Sequence, residues 1–559
     1  MNQTIFDTAA ICHLLGVRHA VFSPGSRNAP LSISFNQHKG IETFVIVDER
    51  SAGFIALGIA QQTKRPVVLC CTSGTALLNY GPAIAEAFYQ QIPLVILSAD
   101  RPPEWIDQWD GQTIRQQNLF SQYTKFFGQM PADVTSNDAK WEYNRKLNQA
   151  IIVANSGIKG PTHLNIPFRE PFYPTAGQHF IFSEHLSPLN LTKGDFNLHP
   201  VEQEKLLSEW NQFERKMIII GHHDPFGDAE IQILNELSFN QNIPIVADVI
   251  SNGHPLNSVI QHHDLLLNNS KYWKELAPDL VLHLGKSLIS KNLKLFLRSQ
   301  TVPVWQIDPN PTFADPFQSL TKIIETTETE ALVCFSKGKS QEPIFINNWI
   351  NCNQLTANQL KKQPLDYSEA AAFQQVMDCL PDNCDLHLAN SMPVRYANFF
   401  SCRQSGIQVY ANRGTSGIDG TNSTAVGHAF VTQRKVVLLT GDLSFLYDRN
   451  AFLHEYDLSN LYVIVFNNFG GGIFDLIPGP AQLPVNLRQK HFTTPHNKDM
   501  KKSAEDAGFA YLKANDEVTL QLALIGFFES GTKPRLLEIQ TDPAKNIKAF
   551  TILKQLAHD

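Results

Sequence analysis

The chain has 559 residues, a formal net charge of −7 and a pI near 6.3, with 43% hydrophobic and 18% charged residues. That length is too great for one core and implies roughly three or four domains of about 100–200 residues each. The mild acidity, with no basic block, excludes a general nucleic-acid binder, and no apolar run approaches the roughly 18 residues of a membrane span.

Met1 to Leu15 has the pattern of an amphipathic helix, and no basic–apolar–small segment marks a signal peptide. The first third then alternates β-rich runs with helix-like stretches. Ala20–Phe22 precedes Ser23-Pro24-Gly25-Ser26-Arg27, and Thr43–Val47 precedes Asp48-Glu49-Arg50. Pro66–Cys71 precedes Thr72-Ser73-Gly74-Thr75, and Pro93–Leu97 precedes Ser98-Ala99-Asp100-Arg101. Near-continuous apolar strands between helices predict a parallel sheet covered on both faces, closed by a last strand in Gly160–Pro167. Residues 172–200 hold several prolines without periodicity and read as a linker. The alternation returns at Met217–Gly221, Pro244–Asp248 and Leu280–Gly285. A polar stretch near 335–345 separates this middle section from a last third with strands at Asp385–Asn390, Lys435–Thr440 and Leu461–Phe466. The expected fold is α/β, with three doubly wound, mostly parallel-sheet domains over 1–180, 195–335 and 350–559.

Eight cysteines without a CxxC pair predict reduced thiols and a cytoplasmic protein. Cys70 and Cys71 are expected in the core. His19 and the pairs His222–His223 and His262–His263 show no supporting carboxylate pattern and are expected on the surface or in loops. Asp224 beside the first pair does not make a metal site. The middle section lacks Gly-x-Gly-x-x-Gly after a strand, which counts against dinucleotide binding.

Open parallel sheets bind ligands at the carboxyl ends of their strands. Gly441-Asp442 follows one predicted strand and Asn467-Asn468 the next, so a carboxylate and a carboxamide share one sheet edge. Such oxygens suit a hard cation completed by a ligand phosphate, and Gly470-Gly471-Gly472 lets the backbone come close. Ser391, between a strand and a helix, suits anion binding at a helix start. Arg27, Arg101, Arg395 and Arg413 each follow a strand-like run. Four arginines on binding edges of an acidic chain fit substrates rich in carboxylates, which the planar guanidinium grips bidentately.

Gly441-Asp442 with Asn467-Asn468 resembles the Gly-Asp-Gly … Asn-Asn signature of thiamine-diphosphate enzymes, with Leu443 in place of the third glycine. The resemblance implies an aminopyrimidine-binding first domain, a middle domain, and a last domain that binds diphosphate and metal. It implies Asp442, Asn468 and the Gly470 carbonyl as ligands of Mg²⁺, with Mn²⁺ as the alternative. It further implies Glu49 beside N1′ of the aminopyrimidine, promoting the imino tautomer that deprotonates thiazolium C2, and Ile418 under the bend of the cofactor. Because Glu49 and Asp442 lie in different domains, it implies a dimer as the minimum active unit and a tetramer of two dimers.

Ser23–Arg27, Asp48–Ala52, Thr72–Ala76, Ala99–Pro102, Asn412–Gly414 and Gly441–Ser444, including Leu443, resemble one family in particular, the 2-succinyl-5-enolpyruvyl-6-hydroxy-3-cyclohexene-1-carboxylate synthases of menaquinone biosynthesis. That resemblance implies decarboxylation of 2-oxoglutarate and conjugate addition of the succinyl carbanion equivalent to isochorismate. Arg395 and Arg413 are then expected to hold 2-oxoglutarate, and Ser26, Arg27, Arg101, Gln112 and Lys291 isochorismate. Gly441, Ser444, Ser391 and Ile473 would bind the cofactor, with Phe474 walling the substrate pocket. The family's basic residue after Lys291 is here Asn292, and the middle section offers no residue set for a regulator. An acetohydroxyacid-synthase-like carboligase or a simple 2-oxo acid decarboxylase remains the alternative, for which fewer arginines and a small apolar pocket are expected.

Overall fold

The computed structural model describes residues 2–174, 180–186, 188–192, 194 and 196–556. Among them, three six-stranded sheets are parallel throughout. The first contains β1 (His19–Phe22), β2 (Glu42–Val45), β3 (Val67–Cys71), β4 (Leu94–Asp100), β5 (Phe127–Gln129) and β6 (Thr162–Pro167), in the order β2-β1-β3-β4-β6-β5. The second contains β7 (Lys216–Ile220), β8 (Ile245–Ala247), β9 (Val259–Ile260), β10 (Leu280–Leu284), β11 (Val304–Ile307) and β12 (Leu320–Ile324), ordered β12-β11-β10-β7-β8-β9. The third contains β13 (Cys384–Leu388), β14 (Gln408–Tyr410), β15 (Lys435–Gly441), β16 (Leu461–Asn467), β17 (Ala510–Ala514) and β18 (Arg535–Gln540), ordered β14-β13-β15-β16-β18-β17. The first and third sheets thus share one strand order. The second has the order of a dinucleotide-binding fold without its glycine fingerprint.

The central strands β3, β4, β10 and β16 are buried along their whole length, which is why they read as unbroken apolar runs. Alternate residues feed opposite faces: Val21, Leu69 and Ile96 enter one core, Phe22, Val68 and Leu97 another. The first of these cores also takes Val436, Leu438 and Val463 from the third sheet, so the first and last domains share a continuous apolar interior. Two helices build the seam, Glu49–Thr63 after β2 and Thr421–Val431 after β14. They touch through glycine. A Cβ on Gly58 would lie 2.2 Å from the Thr424 carbonyl oxygen, and one on Gly427 would lie 2.2 Å from that of Ile55.

Several elements differ from expectation. The N-terminal helix is split into Gln3–Phe6 and Thr8–Leu14, with Met1 outside the described residues. The break falls at Asp7, whose carboxylate accepts from Gln3 Nε2, Ser183 N and Ser183 Oγ rather than facing water. The linker predicted over 172–200 lies partly outside the described residues; its described part carries no regular element before the helix Pro200–Trp210. The surface or loop role expected of the histidines fails for His263, which is fully buried with Nε2 3.0 Å from Asp248 Oδ1. His223 Nε2 likewise meets Glu328 Oε2 at 2.8 Å. Both carboxylates come from other elements, so no local spacing announces them. All eight cysteines are free thiols, with Cys70 and Cys71 buried. Among the described residues no helix is long and apolar enough to cross a membrane.

Candidate active site

In the third sheet β13, β15 and β16 are neighbours, so the loops at their carboxyl ends converge. Asp442 follows β15 and is 2% exposed. Its Oδ1 accepts from Leu443 N at 2.6 Å and its Oδ2 from Gly470 N at 2.9 Å, while His496 Nε2 lies 3.2 Å from Oδ2. Asn468 follows β16. Its Nδ2 donates to Glu369 Oε2 at 2.8 Å, and its Oδ1 is buried with no partner. At Gly470 a Cβ would lie 2.6 Å from the Thr493 carbonyl, so the backbone passes where no side chain fits; at Gly441 the same position is open space. The structure therefore brings Asp442, Asn468 and Gly470 together. A carboxylate and an unpaired buried carboxamide oxygen form a donor set that fits a hard divalent cation.

Ser391, after β13, has φ +78° and stands just before the helix Met392–Phe400, its side chain making no capping hydrogen bond. This is a strained conformation for a non-glycine residue, of the kind that clusters at functional sites. Arg395, one turn along, donates to the Ser391 carbonyl. Arg413 Nη1 donates to Asn390 Oδ1 at 2.9 Å, while its buried Nε has no partner. Both guanidiniums are half-buried, and neither has an ion pair among the described residues. Burial lowers the pKa of each, and proximity to Arg413 lowers that of Arg395 further. Ile418 is half-buried, and its carbonyl accepts from Ser444 Oγ at 3.2 Å. Ile473 packs on the third domain's core, and Phe474 meets Phe492 edge to face at 5.6 Å.

The first sheet carries a second, separate constellation. Arg27, after β1, donates to the Phe168 carbonyl and lies 4.7 Å over the Phe172 ring. Arg101, after β4, donates to Ser73 Oγ (2.8 Å), the Gln112 carbonyl (2.9 Å) and the Asp110 carboxylate. Burial and then Arg101 lower the pKa of Arg27. Ser26 and the side chain of Gln112 are exposed. The four arginines thus form two pairs on two sheets rather than one cluster.

Glu49 opens the helix Glu49–Thr63, half-buried, and its carboxylate makes no hydrogen bond or ion pair among the described residues. No such bond links it to Asp442, Asn468 or Ser391 within the chain. Its neighbours instead grip the segment 447–450. Asp48 Oδ2 accepts from Asn450 Nδ2, Arg50 donates to the Tyr447 carbonyl, and Ser51 Oγ donates to Asp448 Oδ1 at 3.5 Å. Lys291 is exposed at the start of the helix Lys291–Gln300. Asn292 is turned inward, donating through Nδ2 to the Asp264 carbonyl at 2.7 Å.

Sequence reasoning missed several supports. Asn390 Nδ2 donates to the Asn412 and Gly417 carbonyls, and Glu86 of the first domain accepts from Gly414 N, Thr415 N and Thr415 Oγ. Burial pushes the Glu369 carboxyl up to about 7, opposed by the Asn468 bond and helped by Asp442. Only the polarity of Asn390, directly after an apolar run, offered a signal.

Known proteins match this arrangement. Residues 7–122 match the family model described as thiamine pyrophosphate enzyme, N-terminal TPP binding domain, and residues 188–388 that of the middle domain of thiamine pyrophosphate enzymes. Three parallel α/β domains with this edge chemistry define a thiamine-diphosphate enzyme. The chain is 42% identical to the 2-succinyl-5-enolpyruvyl-6-hydroxy-3-cyclohexene-1-carboxylate synthase of Cytophaga hutchinsonii, covering 99% of this chain and 98% of the relative. It is 38% identical to that of Christiangramia forsetii (96% and 95% covered) and 37% identical to that of Flavobacterium johnsoniae (99% and 98%). The chain belongs to the 2-succinyl-5-enolpyruvyl-6-hydroxy-3-cyclohexene-1-carboxylate synthase family.

Proposed function

We propose that the chain decarboxylates 2-oxoglutarate and adds the remaining succinyl unit to isochorismate, giving 2-succinyl-5-enolpyruvyl-6-hydroxy-3-cyclohexene-1-carboxylate and CO₂ in menaquinone biosynthesis. Family membership supports the reaction. The choice of donor rests on one observation: Arg395 and Arg413, both half-buried and without a carboxylate, flank the strand end beside Asp442. The distal carboxylate of 2-oxoglutarate is the partner this pair lacks.

Thiamine diphosphate, when bound, supplies the carbanion chemistry. Asp442, Asn468 Oδ1 and the Gly470 carbonyl would hold Mg²⁺ or Mn²⁺. Gly441, Ser444 and Ser391 would receive the diphosphate, and Ile418 would support the bend. Glu49 would hold a proton at the aminopyrimidine N1′; its freedom from other partners leaves it available. Ile473 and Phe474 exclude water from the pocket. Arg27 and Arg101, with Ser26, Gln112 and Lys291, would bind the isochorismate carboxylates, while Asn292, committed to Asp264, takes no part. Glu49 and the Asp442 cluster stand on separate sheets without a bond between them, which favours a site completed by a second copy. The active unit is then a dimer at minimum, with a tetramer of two dimers, acting in the cytoplasm.

Mass spectrometry of products from 2-oxoglutarate plus isochorismate tests the reaction directly. For the donor, kcat/KM is compared between 2-oxoglutarate and pyruvate in wild type and Arg395→Ala. Removing one partner of a desolvated charge pair costs about 2–5 kcal/mol, or roughly 30- to 5000-fold. An exposed arginine contributes about 0–1 kcal/mol. The loss is expected for 2-oxoglutarate alone; an equal loss for both donors removes the distal-carboxylate role.

A further inference from the structure

We infer that Glu369 is the positioning residue that turns the Asn468 carboxamide so that its oxygen, not its nitrogen, faces the cation. This rests on the reading of Asp442, Asn468 and Gly470 as metal ligands. The two ends of a carboxamide are nearly the same size, so shape alone does not choose between them. Reversed, Asn468 would aim two N–H donors at a cation. The partner decides. Glu369 is 3% exposed, and its Oε2 lies 2.8 Å from Asn468 Nδ2. That Oε2 accepts from Asn468 Nδ2, so Asn468 presents its donor there and its Oδ1 on the opposite side. That Oδ1 is buried and has no partner among the described residues, a costly state for a polar atom unless a ligand meets it.

Glu369 is itself fixed. It begins the helix Glu369–Asp378, where negative charge is favoured. Its backbone N donates to Asn546 Oδ1 at 2.7 Å, and Asn546 Nδ2 donates to Thr541 Oγ1 at 2.9 Å, just past the end of β18. The chain of support therefore runs from β18 through Asn546 and Glu369 to Asn468. Gly472 completes it, because a Cβ there would lie 2.8 Å from Asn468 Nδ2. Nothing in this chain of contacts requires Glu369 to touch cofactor or substrate.

The test is Mn²⁺ titration of the full-length protein at saturating thiamine diphosphate, read by the electron paramagnetic resonance signal of free Mn²⁺. Loss of a ligand-orienting partner typically costs about 10- to 100-fold in metal affinity, and E369L should fall in that range. E369Q should fall between wild type and E369L, since a neutral amide pairs with Asn468 either way round. In N468D both ends of the side chain are oxygen, so E369L added to N468D should cost nothing further. A Glu369 that only supports the fold would weaken both backgrounds alike. Binding within about twofold of wild type in E369L overturns the inference; E369Q decides in the same way if E369L does not fold. D442A separates the two readings. If it also binds Mn²⁺ normally, the metal site itself is wrong, whereas weak binding in D442A with normal binding in E369L removes only the role of Glu369.

Discussion

Gly58→Ala adds one methyl group at the point where the first and last domains touch. That Cβ would sit 2.2 Å from the Thr424 carbonyl oxygen and 3.2 Å from Gly427 Cα. A carbon–oxygen contact settles at about 3.3–3.6 Å, so the helices must part by about 1 Å. Both neighbours are backbone, so no side chain can rotate away. Overpacking of this kind costs about 1–3 kcal/mol, offset by about 0.5–1 kcal/mol from removing a mid-helix glycine. The net effect on stability is modest and unfavourable. Catalysis should suffer more, because Glu49 opens the same helix and a displacement near 1 Å can cost about 10²-fold in rate. The assays are thermal unfolding of the cofactor-free protein and turnover of 2-oxoglutarate with isochorismate. A small drop in melting temperature with turnover down by up to about 10²-fold is expected. Wild-type melting and turnover together would refute the claim that this glycine contact sets the domain geometry.

Glu49→Gln should leave the fold intact and lower turnover by about 10²–10⁴-fold; unchanged proton–deuterium exchange at cofactor C2 would contradict the assigned role. Asp442→Ala should weaken thiamine diphosphate binding through the metal, so that EDTA no longer matters to the variant; a mutant that binds as tightly as wild type in metal shows the ligand assignment to be wrong. Asp110 occupies Arg101 where an acceptor carboxylate is expected, so Asp110→Asn should lower KM for isochorismate and leave KM for 2-oxoglutarate unchanged; a raised isochorismate KM would make Asp110 a support rather than a competitor. Burial raises Asp448 to about 7, against hydrogen bonds from Ser423 and the charge of Arg50. Its unfolded value is near 3.9, so the folded state binds more protons and loses stability as pH rises toward and through about 7. The melting temperature of wild type relative to Asp448→Asn should therefore fall between about pH 4 and 7 and level off above about pH 8, and a pH-independent difference would exclude this titration.

The sequence announced the parts of the molecule whose cause is local. Asp442 and Asn468 stood out because each follows an unbroken apolar run, β15 or β16, that only a doubly covered parallel strand requires. β5, β9 and β14 have two or three residues, too few to show a period, and β17 is exposed at a sheet edge. Tertiary pairings left no trace. His263 finds Asp248 from fifteen residues away, Asn468 finds Glu369 across 99, and Glu86 meets Gly414 across 328. Arg101 was legible as a cation on a binding edge, but not its occupation by Asp110, which depends on the path of the loop after β4. Glu49 was legible through resemblance rather than chemistry, since a glutamate at a helix start is ordinary.

The shared strand order of the first and third sheets extends to the residues of the site. The two crossing helices hold equivalent places, each following the second strand of its sheet and preceding the third. Their contact is reciprocal: Gly58 meets the carbonyl of Thr424, three residues before Gly427, and Gly427 meets that of Ile55, three residues before Gly58. A local two-fold axis therefore passes through the crossing, as in a self-complementary interface between identical subunits. Nine residues before Gly58 stands Glu49, and nine before Gly427 stands Ile418. The same count back from the crossing thus reaches both residues expected to touch the organic part of the cofactor, the carboxylate at the start of one helix and the apolar support in the loop just before the other. The closeness of the glycines follows from the same requirement, since a bulkier pair would leave each helix anchored to its own sheet but out of step with its counterpart.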